Sequence, residues 1–358
     1  MSLDPLQLRP RERLGVKVAM GTPIEGEVWR GQTLSGQVLA GGVFSRVDFR
    51  EADFTGSDLR EAIFDHCQLD GARFDQAQLR AAVFNACSAQ GSHWAQASLR
   101  NTRISKTQLQ QAHLAADLSL ATFVQCRLDG ADLRGARCDR TSWVRCEAPQ
   151  ARFTGLHMAQ VLFHACVLDG ADLGGVRIDL GSFHESPLVG RSFAGQQLMG
   201  VQFTGTDLSG ADFSEASVQQ CNFQKAKLDR ARFVRAMAAN ALFPEASGEQ
   251  VDFSGANLNQ AIYTGSTWLG CRWDGANLHQ SIWMKARLQG CSLRDAELMY
   301  ADFSHAVLAQ SDLRGARMFR TQLHRVQDEG AQYSDRARAL ETDAELARAE
   351  DWQAPAVS

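Results

Sequence analysis

From Leu118 to Leu323 every fifth residue is apolar and mostly large, 42 positions in succession with Gly248 the one non-apolar exception. Two residues before each sits a small one (Ala, Cys, Ser, Thr, Val or Gly), except at Leu156, Arg191 and Gln196. Residues 129–133, Asp-Gly-Ala-Asp-Leu, show the unit, which recurs in Ala211-Asp-Phe213, Ala256-Asn-Leu258 and Ala301-Asp-Phe303. Apolar residues are only 44% of the composition, so chance does not produce this order. A period of five fits neither the 3.6 of a helix nor the 2 of a flat strand. It fits a repeating chain that turns a corner at every unit, with small and large side chains interleaved inward and the other positions wet. The wet positions carry Asp, Asn, Arg, Ser, Thr, Gln and Gly, which form turns or stay solvated.

A longer period is superimposed. Phe54, Phe64, Phe74 and Phe84 alternate with Leu59, Leu69 and Leu79, and Phe203 to Phe233 repeats the alternation. Cysteines recur 20 apart: Cys67 and Cys87; Cys126, Cys146 and Cys166; Cys271 and Cys291. Four units per turn satisfies both periods and places Phe on two opposite walls of a square coil. With this motif the chain resembles the pentapeptide-repeat family, whose signature is A(D/N)Lxx. The resemblance covers residues 22–326 and implies an all-β fold, a right-handed quadrilateral parallel β-helix. About 15 coils at roughly 4.8 Å per stacked strand predict a rod on the order of 70 Å. Residues 1–21 are off-pattern and are expected to form a cap or a short strand over the first coil. Leu114 is followed by Leu118, four residues on, which predicts a shortened corner near Ala115–Ala116 and a local kink.

After Leu323 the period stops. Residues 327–358 hold eight acids and three Arg, so of the formal net charge of −4, this tail carries −5 and the rest +1. Ala331–Trp352 predicts a helix, with Ser334 or Asp335 as N-cap and Thr342-x-x-Glu345 as a capping box. Such a helix would cover the open coil edge, as a solenoid requires. The same segment also offers a surface for a partner or a homodimer.

Eight of the nine cysteines occupy the small inward slot and Cys138 a large one, as buried free thiols would. No CxxC or Cys/His set points to a metal. His164 and His184 fall one turn apart beside Glu185, but stacked polar residues are expected on any β-helix, so no metal or cofactor site is assigned. There is no nucleophile elbow, P-loop, dinucleotide fingerprint or paired-carboxylate signature, and no catalytic residue is assigned. The N-terminus lacks an apolar signal region and no run is long enough to span a membrane, which predicts a cytoplasmic protein.

The outward site just before the large slot is normally polar. On one wall it reads Val43, Ile63, Val83 and then Leu242, Ile262, Ile282, the second run joined by Met284. These ladders are the candidate protein interface, because contiguous exposed apolar patches tend to bind partners. Two anomalies accompany them. Arg191 and Gln196 fill successive small slots, which predicts a local bulge turning both outward. Tyr263, Trp268, Trp273 and Trp283 crowd one coil, which predicts a swollen core or one ring turned out.

The function expected is a non-enzymatic interaction scaffold or adaptor. Long members of the resembled family also serve as accessories of bacterial type VI secretion, which makes a secretion component or effector one expected partner. Other members protect DNA gyrase by mimicking duplex DNA, and that is the competing expectation. A mimic needs a continuous anionic surface, whereas Arg interrupts the acids here, as in Asp132/Arg134, Arg137/Asp139/Arg140 and Asp312/Arg314. Direct nucleic-acid binding is not expected, since no basic stripe with interleaved aromatics is present.

Overall fold

The computed structural model describes residues 10–352 and is a parallel β-helix of about 16 turns with short helices near its ends. Each five-residue unit places its small and large residues inward and makes one wall and one corner. Strand Val43–Ser45 pairs in parallel with Ile63–Asp65, and Ile63–Asp65 with Val83–Asn85, each 20 residues on. Four units therefore close one turn. The corner is a β-turn: the small residue's N–H donates to the large residue's carbonyl three back, as in Ala52 N to Phe49 O at 3.0 Å. Its last corner residue is left-handed, as at Gly56 (φ 66°). Glu51 adopts φ 60° as well, and its N–H is held by Asp70 O of the next turn at 2.9 Å. The ladder thus imposes a conformation that side chains ordinarily resist.

The chain divides into two compact units, one ending at Pro187 and one beginning at Leu188. In the first unit the phenylalanines stack within each wall and meet edge-to-face across the core. Phe54 and Phe74 lie 5.0 Å apart at 3°, while Phe54 and Phe64 lie 6.3 Å apart at 85°. At Ala115–Ala116 the pairing offset drops to 19, as in His113 with Asp132, and returns to 20 at Asp117 with Arg137. There the β-turn is replaced by a tighter one, with Ala116 N donating to Leu114 O, only two residues back, at 2.7 Å. Helix α1 (Pro10–Ala19) stands before the first turn, with Leu14 fully buried and Lys17 paired to Glu27 at 2.6 Å. The expected cap is thus a helix, not a strand; residues 1–9 lie outside the described part.

In the second unit the crowded aromatics are all inside: Tyr263, Trp268, Trp273 and Trp283 are fully buried, and no ring turns out. Gly248 explains how. It pairs directly with Trp268, and a Cβ on it would come 3.1 Å from that indole and 2.5 Å from Val251 Cγ2. The single non-apolar slot is the space into which Trp268 packs. A second device settles the indole N–H groups. Trp94, Trp268 and Trp283 each donate to a Ser hydroxyl two residues earlier, at 2.7, 2.7 and 2.8 Å. Those hydroxyls, on Ser92, Ser266 and Ser281, in turn donate to carbonyls three residues further back. These three buried indoles are thereby hydrogen-bonded within their own turns, whereas Trp143 Nε1 is buried without a partner among the described residues.

Arg191 and Gln196 correct the expected bulge. Their N–H groups make the regular corner bonds to Leu188 and Phe193, and the backbone ladder continues through both. Gln196 stays buried and donates through Nε2 to Ser192 O at 3.3 Å, while Arg191 is half-buried. An amide that bonds a carbonyl within its own turn needs no bulge to be buried.

The C-terminal segment differs from expectation too. Residues 332–340 keep following the ladder: Gln332 N bonds Ser311 O, and Leu323 N bonds Leu340 O at 2.8 Å. Only a 3-10 turn (Arg336–Arg338) and the helix α2 (Ala344–Glu350) form. The N-cap of α2 is Asp343, whose carboxylate accepts from Glu345 N and Leu346 N at 2.8 and 3.0 Å. Thr342 accepts from Arg325 N instead.

Candidate protein interface

The outward slot of a wall is half-exposed by construction, because the flanking inward residues anchor it. Val43, Ile63 and Val83 pair in register across the first unit's strands, with Val43 and Ile63 each 38% exposed. In the second unit Leu242 bridges to Ile262 and Ile262 to Ile282, all half-buried, with Met284 at the following corner 38% exposed. Each expected ladder is therefore formed, one in each unit. Beneath the second ladder, Tyr263 and Trp283 stack at 3.8 Å and 3°, a rigid floor. Trp268 and Trp273, being buried, add nothing to its surface.

The corner that leads into this second wall carries exposed aromatic rings that the outward-slot pattern does not include. Tyr300 and Phe319 are 44% and 45% exposed, and their rings meet edge-to-face at 5.8 Å. His279 lies 5.6 Å from Tyr300, completing a file of rings along successive turns. Tyr300 stands two residues before Asp302, which bridges to Ile282, so this corner lies one turn beyond the end of the ladder. Tyr300 has φ 60°, a position filled elsewhere mostly by Gly or by polar residues such as Gln, Glu, Arg and Lys. An aromatic in the left-handed corner slot was the available signal.

Charges elsewhere are balanced locally. An acid just before a large slot pairs with an Arg just after it: Asp48–Arg50, Asp58–Arg60 and Asp132–Arg134, each at 2.6 Å, and Asp312–Arg314 at 2.7 Å. The Arg134 hydrogen bond lowers the Asp132 carboxyl to about 2. Exposed pairs of this kind contribute little to stability, on the order of 0–1 kcal/mol each. Their consequence is that each of these four acids is neutralised by a neighbouring guanidinium.

The cysteines are all free and buried. The stacked ones donate inward, as in Cys87 Sγ to Phe64 O at 3.3 Å and Cys166 Sγ to Trp143 O at 3.3 Å. Thr102 and Thr141 make the same bond from the same slot. Burial pushes the Cys138 and Cys221 thiols up to about 12, so they stay protonated.

Helix α2 buries none of its residues and is held by polar contacts. Glu350 accepts from His305 at 3.1 Å and His324 at 3.2 Å, and Arg325 Nε lies 3.0 Å from it. Arg325 also donates to Ala347 O at 2.6 Å. Leu346 and Trp352 remain exposed.

Sequence profiles place the repeat in context. The profile described as pentapeptide repeat region matches residues 42–114 and 196–278, and pentapeptide repeats (8 copies) matches 115–142 and 296–327. The chain belongs to the pentapeptide-repeat family. No curated protein sequence matches this pentapeptide-repeat protein significantly. Among solved structures it is similar to HetL, involved in heterocyst differentiation regulation in the cyanobacterium Nostoc, with 20% identity, TM-score 0.24, and coverage of 72% of this chain and 90% of HetL. It is also similar to full-length QnrB1, a plasmid-mediated fluoroquinolone resistance protein, with 15% identity, TM-score 0.30, and coverage of 66% and 91%. These likenesses concern the repeat architecture and add no function. Among the described residues no helix is long and apolar enough to cross a membrane.

Proposed function

We propose that this pentapeptide-repeat protein is a non-enzymatic scaffold that binds another protein through the second-unit wall of Leu242, Ile262 and Ile282. The observation that carries the reading is the continuity of that ladder with Met284 on one corner and Tyr300 and Phe319 on the other. Aromatic side chains on a rigid support are the residues that anchor protein interfaces. A component or effector of a secretion system is one partner of this kind, and gyrase protection is the competing reading. The pairwise Asp–Arg neutralisation weighs against the latter, because a DNA mimic needs unopposed negative charge. Capture from the native host tests both. The double variant Ile262→Glu, Ile282→Glu is expected to lose the partner that the wild-type chain retains. Unchanged capture contradicts the proposed wall, and capture of a topoisomerase favours the competing reading.

A further inference from the structure

Two clusters among the described residues bring two imidazoles and a carboxylate within 4.8 Å of one another: His164, His184 and Glu185, and His305, His324 and Glu350. Their hydrogen bonds separate them chemically. His324 Nδ1 accepts the backbone N–H of Asp343 at 3.1 Å. Its proton therefore sits on Nε2, which faces Glu350 at 3.2 Å as a donor and has no lone pair for a metal. The Arg325 guanidinium, 3.0 Å from the same carboxylate, adds a positive charge where a cation would bind. That cluster is a hydrogen-bonded latch for α2.

The first cluster lacks both obstacles. His164 and His184 pair in register on adjacent strands, and their rings stack at 5.3 Å and 7°. Glu185, the next corner residue, lies 3.5 Å from His184 Nε2, and that is its one ion pair among the described residues. No ring nitrogen of His164 is engaged by a protein hydrogen bond among the described residues, so its lone pair is available. The backbone beneath is fixed. Ala165 N bonds His184 O at 3.0 Å, and Ser186 Oγ both donates to His184 O and accepts from Cys166 N. Two imidazoles and one carboxylate from a rigid support form a borderline donor set suited to Zn²⁺, with the remaining position left to water.

We propose that His164, His184 and Glu185 bind a zinc ion that joins two successive turns near the end of the first unit. The spacing of these residues along the chain did not distinguish them from any stacked polar pair. The convergence of the third ligand does. His93 and His113 stack as closely, at 4.7 Å, and form no such three-residue group.

The test is a Zn²⁺ titration of the full chain against a chromophoric chelator, with thiols kept reduced by a phosphine, followed by thermal melting with and without Zn²⁺. The wild-type chain is expected to bind one equivalent and to melt higher in its presence, since an ion that binds only the folded state stabilises it. His184→Ala and Glu185→Gln, both on exposed side chains, should weaken binding by about tenfold or more and remove the melting shift. Glu350→Gln should bind as the wild type does. Absence of binding by the wild-type chain, full affinity in His184→Ala, or loss of binding only in Glu350→Gln would each overturn the proposal.

Discussion

The two apolar ladders share a period, a side-chain chemistry and a slot in the repeat, but their borders differ. Beside Val43, Ile63 and Val83, the strands continue into a polar row. Asn85 donates to Asp65 at 2.7 Å, Ser105 donates to Asn85 at 3.0 Å, and His66 lies 3.0 Å from Asp65. The corner there carries Arg46, paired with Glu25. Beside Leu242, Ile262 and Ile282 one corner carries a Gln260–Gln280 hydrogen bond of 3.0 Å, but the borders also continue into Met284 and the ring file of His279, Tyr300 and Phe319. A β-branched ladder on a strand is what strand geometry favours by itself. It becomes a surface for a partner only where the corners extend it instead of enclosing it with hydrogen-bonded polar groups.

That contrast can be broken from below. Trp283→Ala removes the floor under Ile282 and the indole that Ser281 accepts from. It should cost roughly 3–5 kcal/mol, as truncation of a core aromatic does. Urea unfolding reads the loss, and amide exchange should rise around 262–283 while 43–85 stays protected. At the border, Tyr300→Ala or Phe319→Ala should weaken partner binding by about tenfold, the effect of one aromatic anchor. His66→Ala, at the polar border of the first ladder, should leave the affinity unchanged; surface plasmon resonance with the captured partner checks both.

A smaller effect distinguishes the walls by pH. The Asn85 hydrogen bond, with His66 beside it, holds the Asp65 carboxyl below its ordinary value. A carboxyl depressed in the folded state adds stability that is present above its unfolded value and lost as pH falls through the folded one. Acidification below about pH 4 should therefore loosen amides 63–85 first, while those of 242–244, 262–264 and 282–284, where Pro244, Thr264 and Met284 stand in the place of Asp65, respond later. Hydrogen exchange across that range reads the order. Asp65→Asn should abolish the difference.

Much of the architecture was legible because the repeat fixes inward and outward positions residue by residue. The square coil, the buried cysteines and both ladders follow from it. Other features depend on choices between turns and so escaped. Gly248 stands 20 residues from Trp268, and only the stacked register makes them partners. The Ser-x-Trp pairs at 92/94, 266/268 and 281/283 were present in the sequence, yet the hydrogen-bonding that explains them appears only when the indole is inward. The helical composition of Ala331–Trp352 misled because the ladder beneath residues 332–340 offers backbone partners that outweigh local propensity. At the interface, the outward slots were readable and the corners were overlooked, so Tyr300 and Phe319 were missed.

The central claim is that the second wall and its aromatic corner, not the first, contact the partner. A photo-crosslinking amino acid placed at Phe319, at Ile282 or at Ile63 in separate full-length chains tests it in the native host. Covalent adducts with one and the same protein are expected from positions 319 and 282, and none from 63. Adducts from 63 with none from 282 or 319 would contradict it.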